Sequence, residues 1–242
     1  MIWGTFGAVH IASLIIAAGI IVGLYFLLKN KSEELQTKIL GILSFAGVLA
    51  IVFNLLMWQS PLEYLPLHLC SWTAIILPFA VLTKNRTLCN LLILWGAGSL
   101  LALVINTAQA NFKIFSLTFA FYFIPHVLEV GVTILIFALK RAKMDVKCIL
   151  STLSITVLAY TLVHFINILI NSYCAENGIL NPDGNLVFVN YMYSVRPDNP
   201  LLEIMFTKPY WYMFKAIPFV LIYLCAVYHK QIIEIIKKKQ RG

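Results

Sequence analysis

The chain has 242 residues, of which 61% are hydrophobic and only 12% are charged, and its formal net charge is +8. Ordinary soluble domains are about half apolar and roughly a quarter charged. Together with a mean hydropathy of +0.88, this composition excludes a soluble enzyme or a disordered chain, because a water-soluble fold of this size could not hide so much apolar surface. The sequence predicts a polytopic membrane protein.

Seven apolar segments are long enough to cross a bilayer. A helix rises about 1.5 Å per residue and the hydrocarbon core is about 30 Å thick, so roughly 20 residues cross it. Backbone groups in lipid have to bond internally, so each segment is expected to be a helix. The third contains Pro66 and Pro78 and is expected to be kinked or partly interfacial. The predicted spans are residues 3–28, 39–58, 64–83, 87–107, 116–139, 148–173 and 210–229.

The basic residues predict the orientation of this all-α bundle of seven transmembrane helices. Fourteen of the 18 Lys and Arg residues lie after the first, third and fifth spans and in the C-terminal tail, whereas three lie in the opposite gaps. Cytoplasmic connections carry the excess of Lys and Arg. The N-terminus is therefore expected outside and the C-terminus in the cytoplasm, and the positive charge is interpreted as topology rather than as nucleic-acid binding.

The spans are expected to form a single domain. It covers residues 1–230, including an external loop at 174–209, and residues 231–242 form a basic cytoplasmic tail that contacts anionic headgroups. Within the loop, residues 186–193 are predicted as a short strand or an interfacial segment between two turn-forming sequences. A connection this long is often a lid or a binding element.

Polar side chains at membrane depth concentrate towards the external side. Such residues usually face the bundle interior, so they predict one polar cavity open to the outside or to the outer leaflet. The inner half is almost purely apolar, which disfavours a pore or carrier with polar groups at both depths. The polar residues are His10, Asn54, His68, Cys70, Asn106, His126, Glu129, His164, Asn167, Asn171 and Lys215.

These residues have structural as well as functional interpretations. For His10 and each asparagine, hydrogen bonding between helices is as good an explanation as function. His126 and Glu129 lie one turn apart on one helix face, and an ionisable pair inside the membrane favours acid–base chemistry. Lys215 lies near an interface, where it either snorkels or holds a lipid phosphate.

Cys70 is the candidate nucleophile. It lies at the start of the third span, where backbone N–H groups and the positive end of the helix dipole stabilise a thiolate. His68 is two residues away and does not share its helix face, so His126 on another span is the expected base. A Cys–His pair is the minimal arrangement for acyl transfer. A packing role for the thiol and a disulfide with Cys174 remain alternatives.

Three sequence elements resemble a known family. They are LPLHLCSW at 65–72, PH at 125–126, and GNLVFVNYMYSVRPDNPLL leading into KPYWYMFKA. These elements are similar to YwaF-type bacterial membrane proteins, which belong with the eukaryotic transmembrane protein 164 family. The resemblance implies an intramembrane acyltransferase in the bacterial cytoplasmic membrane, with Cys70 as its cysteine and His126 as its histidine. It also implies a substrate other than polyunsaturated lipids.

The first functional hypothesis is a CoA-independent lipid transacylase without a metal or soluble cofactor. Cys70 attacks an acyl ester, His126 transfers the proton, Glu129 orients His126, and His68 and Asn106 donate to the oxyanion. The expected partner is a membrane phospholipid or lysophospholipid, whose phosphate Lys215 and Arg196 hold. The alternative is a non-enzymatic protein that binds or senses a lipid or small ligand. Predicted substrate-binding residues are His10, Asn54, Asn106, His164, Asn167, Tyr191, Arg196 and Lys215.

Overall fold

The computed structural model describes residues 2–4, 6–105, 112–198 and 200–240, and this part of the chain is built almost entirely from helices. The α-helices are α1 Ala8–Leu28, α2 Glu33–Ser44, α3 Ala46–Met57, α4 Leu69–Thr83, α5 Arg86–Ile105, α6 Leu117–Ala138, α7 Ile149–Asn177, α8 Pro200–Met205 and α9 Ile217–Lys239. Short 3-10 turns lie at Pro61–Glu63, Val146–Cys148, Tyr191–Tyr193 and Trp211–Ala216. Near the N-terminus, β1 (Ile2–Trp3) pairs antiparallel with β2 (Phe112–Lys113).

Six helical segments of the described chain are long and apolar enough to cross a membrane. Three of them are compound. Helices α2 and α3 form one segment, and the turns at Val146–Cys148 and Trp211–Ala216 lead directly into α7 and α9. The predicted third span is different. Its helix, α4, has only 15 residues, which is about 22 Å at the α-helical rise, and Pro61–Glu63 and the residues up to His68 precede it without α-helical structure.

The second span begins earlier than predicted and is interrupted. Ser32 caps α2 by accepting a hydrogen bond from the backbone of Leu35, which starts the helix in polar sequence ahead of the apolar run. The helix breaks at Phe45, whose N–H bonds to the carbonyl of Ile42. Apolar composition locates a span in the sequence, but it contains no signal for this break.

Polar contacts bring three connections and the end of α9 together at one end of the bundle. We call this part the basic end: residues 29–32, 84–85, 139–148 and the last turns of α9. Arg141 pairs with Glu33 at the start of α2, and Arg86 at the start of α5 pairs with Asp145. Gln231 of α9 accepts a hydrogen bond from Val146. Because α9 continues to Lys239, most of the predicted tail is a helical extension.

The helices differ in how much of their surface the protein covers. In the most apolar 18-residue windows of α5 and α6, 56% of residues are buried, against 11% in those of α1 and the segment that ends with α9. Helices α3 and α4 approach closely at Gly47, where an added Cβ would lie 2.5 Å from the Cβ of Ala74. The polar cluster described below lies among these central helices.

The predicted strand at 186–193 is not formed. Leu186 makes a single bridge with Leu180, and Tyr191–Tyr193 form a 3-10 turn in which Met192 has φ 52°. The backbone of Val189 donates to the side chain of Asn171, and that of Tyr191 donates to Asn167. Side chains of α7 thus replace the neighbouring strand that a β-segment would need.

Candidate functional site

The start of α4 holds Cys70 in a polar setting. His68 is the extended N-cap residue, and the helix begins at Leu69, so Cys70 lies in the first turn, where backbone N–H groups have no helical acceptor. The N–H and hydroxyl of Ser71 lie within hydrogen-bonding reach of the half-buried sulfur. These donors and the helix dipole stabilise negative charge on the sulfur, whereas burial opposes it.

Helix α6 fixes the tautomer of His126. Pro125 supplies no N–H to the helix ladder, which loosens the turn just ahead of the histidine. Nδ1 of His126 lies 2.6 Å from the carbonyl oxygen of Tyr122. Because a carbonyl only accepts, the proton is on Nδ1 and the lone pair is on Nε2. A neutral imidazole in this tautomer can take a proton from a thiol.

Glu129 is almost fully buried and is held by groups that sequence patterns did not single out. Its Oε2 accepts a 2.6 Å hydrogen bond from the hydroxyl of Ser99, and its Oε1 would lie 3.3 Å from a Cβ built on Gly47. Among the described residues, no hydrogen bond joins Glu129 to His126, although the two interact electrostatically. The Tyr122 carbonyl, rather than this carboxylate, orients His126.

His68 connects α4 to the loop at 174–209. Its Nδ1 accepts a 3.3 Å hydrogen bond from the backbone N–H of Met192, so a neutral His68 carries its proton on Nε2. The imidazole packs against the rings of Tyr191 and Tyr193, at centroid distances of 5.2 and 5.7 Å. Nε2 is therefore the donor that His68 can offer to a bound group.

Electrostatic interactions link the predicted catalytic residues with two tyrosines. Glu129 interacts with His126 and Cys70, and His68 interacts with His126. Tyr122 interacts with Cys70, Tyr193 and Glu129. Sequence reasoning missed both tyrosines, since aromatic residues are frequent throughout the chain. We call this group the Cys70 cluster: Cys70, His68, Tyr122, His126, Glu129 and Tyr193.

Polar residues of α7 attach the loop at 174–209 to the bundle. Asn167 is fully buried and makes three hydrogen bonds, with the N–H and carbonyl of Tyr191 and with the hydroxyl of Ser194. Asn171 bonds both backbone groups of Val189, and His164 bonds Ser194. These contacts agree with the structural explanation of the polar residues, in which they form hydrogen bonds between elements of the fold. A substrate-binding role for His164 and Asn167 stays a prediction.

Tyr191 joins the loop to the irregular segment ahead of α4. Its buried hydroxyl donates to the carbonyl of Leu62 and accepts from the N–H of Leu65 at 3.0 Å. The phenol thereby satisfies backbone groups in a stretch that lacks regular secondary structure. Its hydroxyl therefore links two parts of the protein to each other, and a contact of Tyr191 with substrate stays a prediction.

Two predicted binding residues make contacts near the ends of their own helices. His10 is fully buried, with Nδ1 accepting from the N–H of Phe6 and Nε2 bonded to the carbonyl of Leu103 at 2.7 Å. Asn54 accepts a 3.4 Å hydrogen bond from the indole of Trp58. His10 thus ties the N-terminal segment to α5, as the structural alternative proposed.

Three predicted residues remain, namely Arg196, Lys215 and Asn106. Arg196 is exposed, pairs with Asp198 at 3.1 Å and lies over the ring of Phe188. Lys215 is exposed in the turn at Trp211–Ala216, and Asn106 lies outside the described residues. Cys70 and Cys174 are both free thiols, so the alternative of a disulfide between them is wrong.

Comparison with known proteins gives one family. The TMEM164 family model matches residues 5–229, a range that includes Cys70, His126 and the loop at 174–209. No curated protein and no solved structure matches the chain. With the six long apolar helices, the match confirms a multi-pass integral membrane protein. The narrower YwaF-type assignment stays a prediction.

Proposed function

The chain belongs to the TMEM164 family, and on that premise we propose that it is an intramembrane lipid acyltransferase of the CoA-independent transacylase type. The observation that carries the proposal is the Cys70 cluster. It combines a thiol at a helix start with an imidazole whose free lone pair is on Nε2. An apolar bundle surrounds these groups, which suits a substrate that arrives laterally from the bilayer.

The chemistry proceeds in two matched steps. Nε2 of His126 takes the proton of the Cys70 thiol, and the sulfur attacks the ester carbonyl of a phospholipid, forming a C–S bond. The ester C–O bond then breaks, and His126 returns the proton to the departing lysolipid hydroxyl. A second lysolipid reverses these steps and removes the acyl group. Nε2–H of His68 donates to the oxyanion during both steps.

Glu129 contributes to this mechanism through the field that it creates. It lies on α6 with His126, and the two groups interact electrostatically. In its ionised form the carboxylate stabilises the imidazolium that appears when the thiol proton is transferred. Asn106 is retained as a second oxyanion donor on the sequence pattern alone.

The proposed site requires α4 to belong to a third membrane crossing. The hydroxyl of Tyr191 bonds backbone groups of Leu62 and Leu65. Irregular backbone is tolerated at membrane depth only where protein covers it or a cavity meets it. We therefore propose seven crossings, with residues 61–68 and α4 forming the third.

The proposed orientation follows from the basic end. Its connections lie together and carry most of the Lys and Arg residues, so the positive-inside rule assigns them to the cytoplasm. A reporter at the C-terminus should then be protected in intact bacterial cells, and one inserted at Gly184 should be labelled from outside. Labelling at both sites, or at neither, would contradict seven crossings.

The enzymatic test uses purified protein, a phospholipid with a labelled acyl chain, and an unlabelled lysolipid. We expect hydroxylamine-sensitive label on the wild-type protein and labelled product, and loss of both in Cys70→Ala. Cys225→Ala is the matched control, because Cys225 is an exposed cysteine of α9 and should leave both signals unchanged. Transfer that persists in Cys70→Ala would refute the covalent mechanism. Saturable lipid binding without transfer in the wild type would favour the binding or sensing alternative.

A further inference from the structure

The turn that carries Tyr193 has an unusual backbone. Met192 and Tyr193 both have positive φ, at 52° and 54°, a region that residues other than glycine rarely occupy. Asn167 holds the residue before this pair on both backbone groups, and the hydroxyl of Tyr212 donates to the carbonyl of Tyr193. Such conformations persist only where surrounding contacts over-determine them, and they concentrate at functional sites.

The Tyr193 side chain has a hydroxyl that the fold does not use. Tyr122 donates to the carbonyl of Ala102, and the hydroxyls of Tyr191 and Tyr212 bond backbone groups. Within the described chain, the Tyr193 hydroxyl makes no hydrogen bond, although its ring packs against His68. Most of the phenol is buried, and this burial raises the pKa of Tyr193 to about 12, so it is protonated at neutral pH.

Tyr193 lies near enough to the nucleophile for the two groups to interact. Tyr193 interacts electrostatically with Cys70, yet no hydrogen bond joins its hydroxyl to the sulfur in the part of the chain that the structure describes. When a thiolate attacks an ester, charge develops on the carbonyl oxygen, which is one bond removed from the attacked carbon. A useful donor therefore lies about 2.7–3.1 Å from the position that this oxygen will occupy, rather than against the sulfur.

We infer that Tyr193 is a further catalytic residue of the Cys70 cluster, whose hydroxyl donates a hydrogen bond to the carbonyl oxygen of the acyl group under attack by Cys70. This inference rests on the proposed function and extends it to a residue outside the cysteine–histidine pair. As the C–S bond forms, the carbonyl π electrons move to oxygen and the phenol proton stays on Tyr193. The electrons return when the ester C–O bond breaks.

Two probes with different chemistry test this role without the natural lipid. 4-Nitrophenyl hexanoate acylates a thiol through a tetrahedral oxyanion, whereas chloroacetamide alkylates it by displacement at a saturated carbon, with no oxyanion. Peptide-resolved mass spectrometry would follow Cys70 for both probes, in wild type, Tyr193→Phe and Tyr173→Phe. Tyr173 is an exposed tyrosine of α7 and provides the matched control.

In Tyr193→Phe we expect acylation of Cys70 to slow about 100-fold, as for loss of a single oxyanion donor, and alkylation to change less than twofold. Tyr173→Phe should match wild type with both probes. Unchanged acylation, an equal loss with both probes, or a wild-type Cys70 that the ester does not acylate would each overturn the inference. Ester acylation that depends on Tyr193, in a protein that transfers nothing between lipids, would uphold it and refute the transacylase proposal.

Discussion

Replacement of Asn167 by leucine should weaken the attachment of the loop at 174–209 to α7. The buried amide makes three hydrogen bonds, two to the backbone of Tyr191 and one to Ser194. At about 1 kcal/mol net for each bond, Asn167→Leu removes about 3 kcal/mol from the attachment of the loop. Because 1.4 kcal/mol corresponds to a tenfold change, the open form of the loop should become about 100-fold more populated.

Limited proteolysis measures this opening, because cleavage of a transiently open segment follows the population of its open form. Chymotrypsin suits the loop, which contains Tyr191 and Tyr193, whereas Arg196 and Lys208 precede prolines and resist trypsin. The control is Asn177→Leu, where an exposed amide makes one hydrogen bond within its own helix. Equal cleavage of the two variants would refute the idea that Asn167 anchors the loop.

Two further substitutions test the packing of the bundle by thermal unfolding in detergent. Gly47→Ala places a Cβ 2.5 Å from that of Ala74 and should lower the free energy of unfolding by about 1–3 kcal/mol. The control is Gly19→Ala, which has nothing within 4 Å of its Cβ and should be neutral or slightly stabilising. Equal melting temperatures of the two variants would contradict the close approach of α3 and α4. Tyr228→Phe removes a 2.8 Å hydrogen bond to Asn90 at the basic end and should lower the free energy of unfolding by about 1 kcal/mol. A melting temperature unchanged from wild type would show that this bond adds no net stability.

The sequence predicts the membrane-spanning helices well where their ends coincide with changes in composition. The predicted fifth span, 116–139, differs from α6 by one residue at each end, because Ser116 caps the helix and polar residues follow it. Pro66 and Pro78 predicted an irregular third span, but not the position at which the short helix α4 begins. Its apolar sequence continues upstream to Tyr64, whereas the helix begins only at Leu69.

The Cys70 cluster was predictable in part. Depth matching predicted that Cys70 and His126 lie together, and in the structure Glu129 interacts electrostatically with both. A direct contact between Cys70 and His126 stays a prediction. The partner of Glu129 was not predictable, since Ser99 is one hydroxyl among many and the contact depends on the rotation of α5 against α6. The positive φ of Met192 and Tyr193 has no local signal either, because it occurs without glycine. Tertiary contacts impose this conformation.

Because the protein buries its helices unequally, substitutions should be tolerated better in some helices than in others. Where α1 faces outward, a leucine, an isoleucine or a phenylalanine meets the same fluid acyl chains, so exchanges among them should leave expression and folding intact. Inside α5 and α6 each side chain meets fixed neighbours, so shape is constrained as well as polarity. A saturation scan would show broad tolerance of apolar residues along the outer face of α1, and narrow tolerance around Ser99 and Glu129.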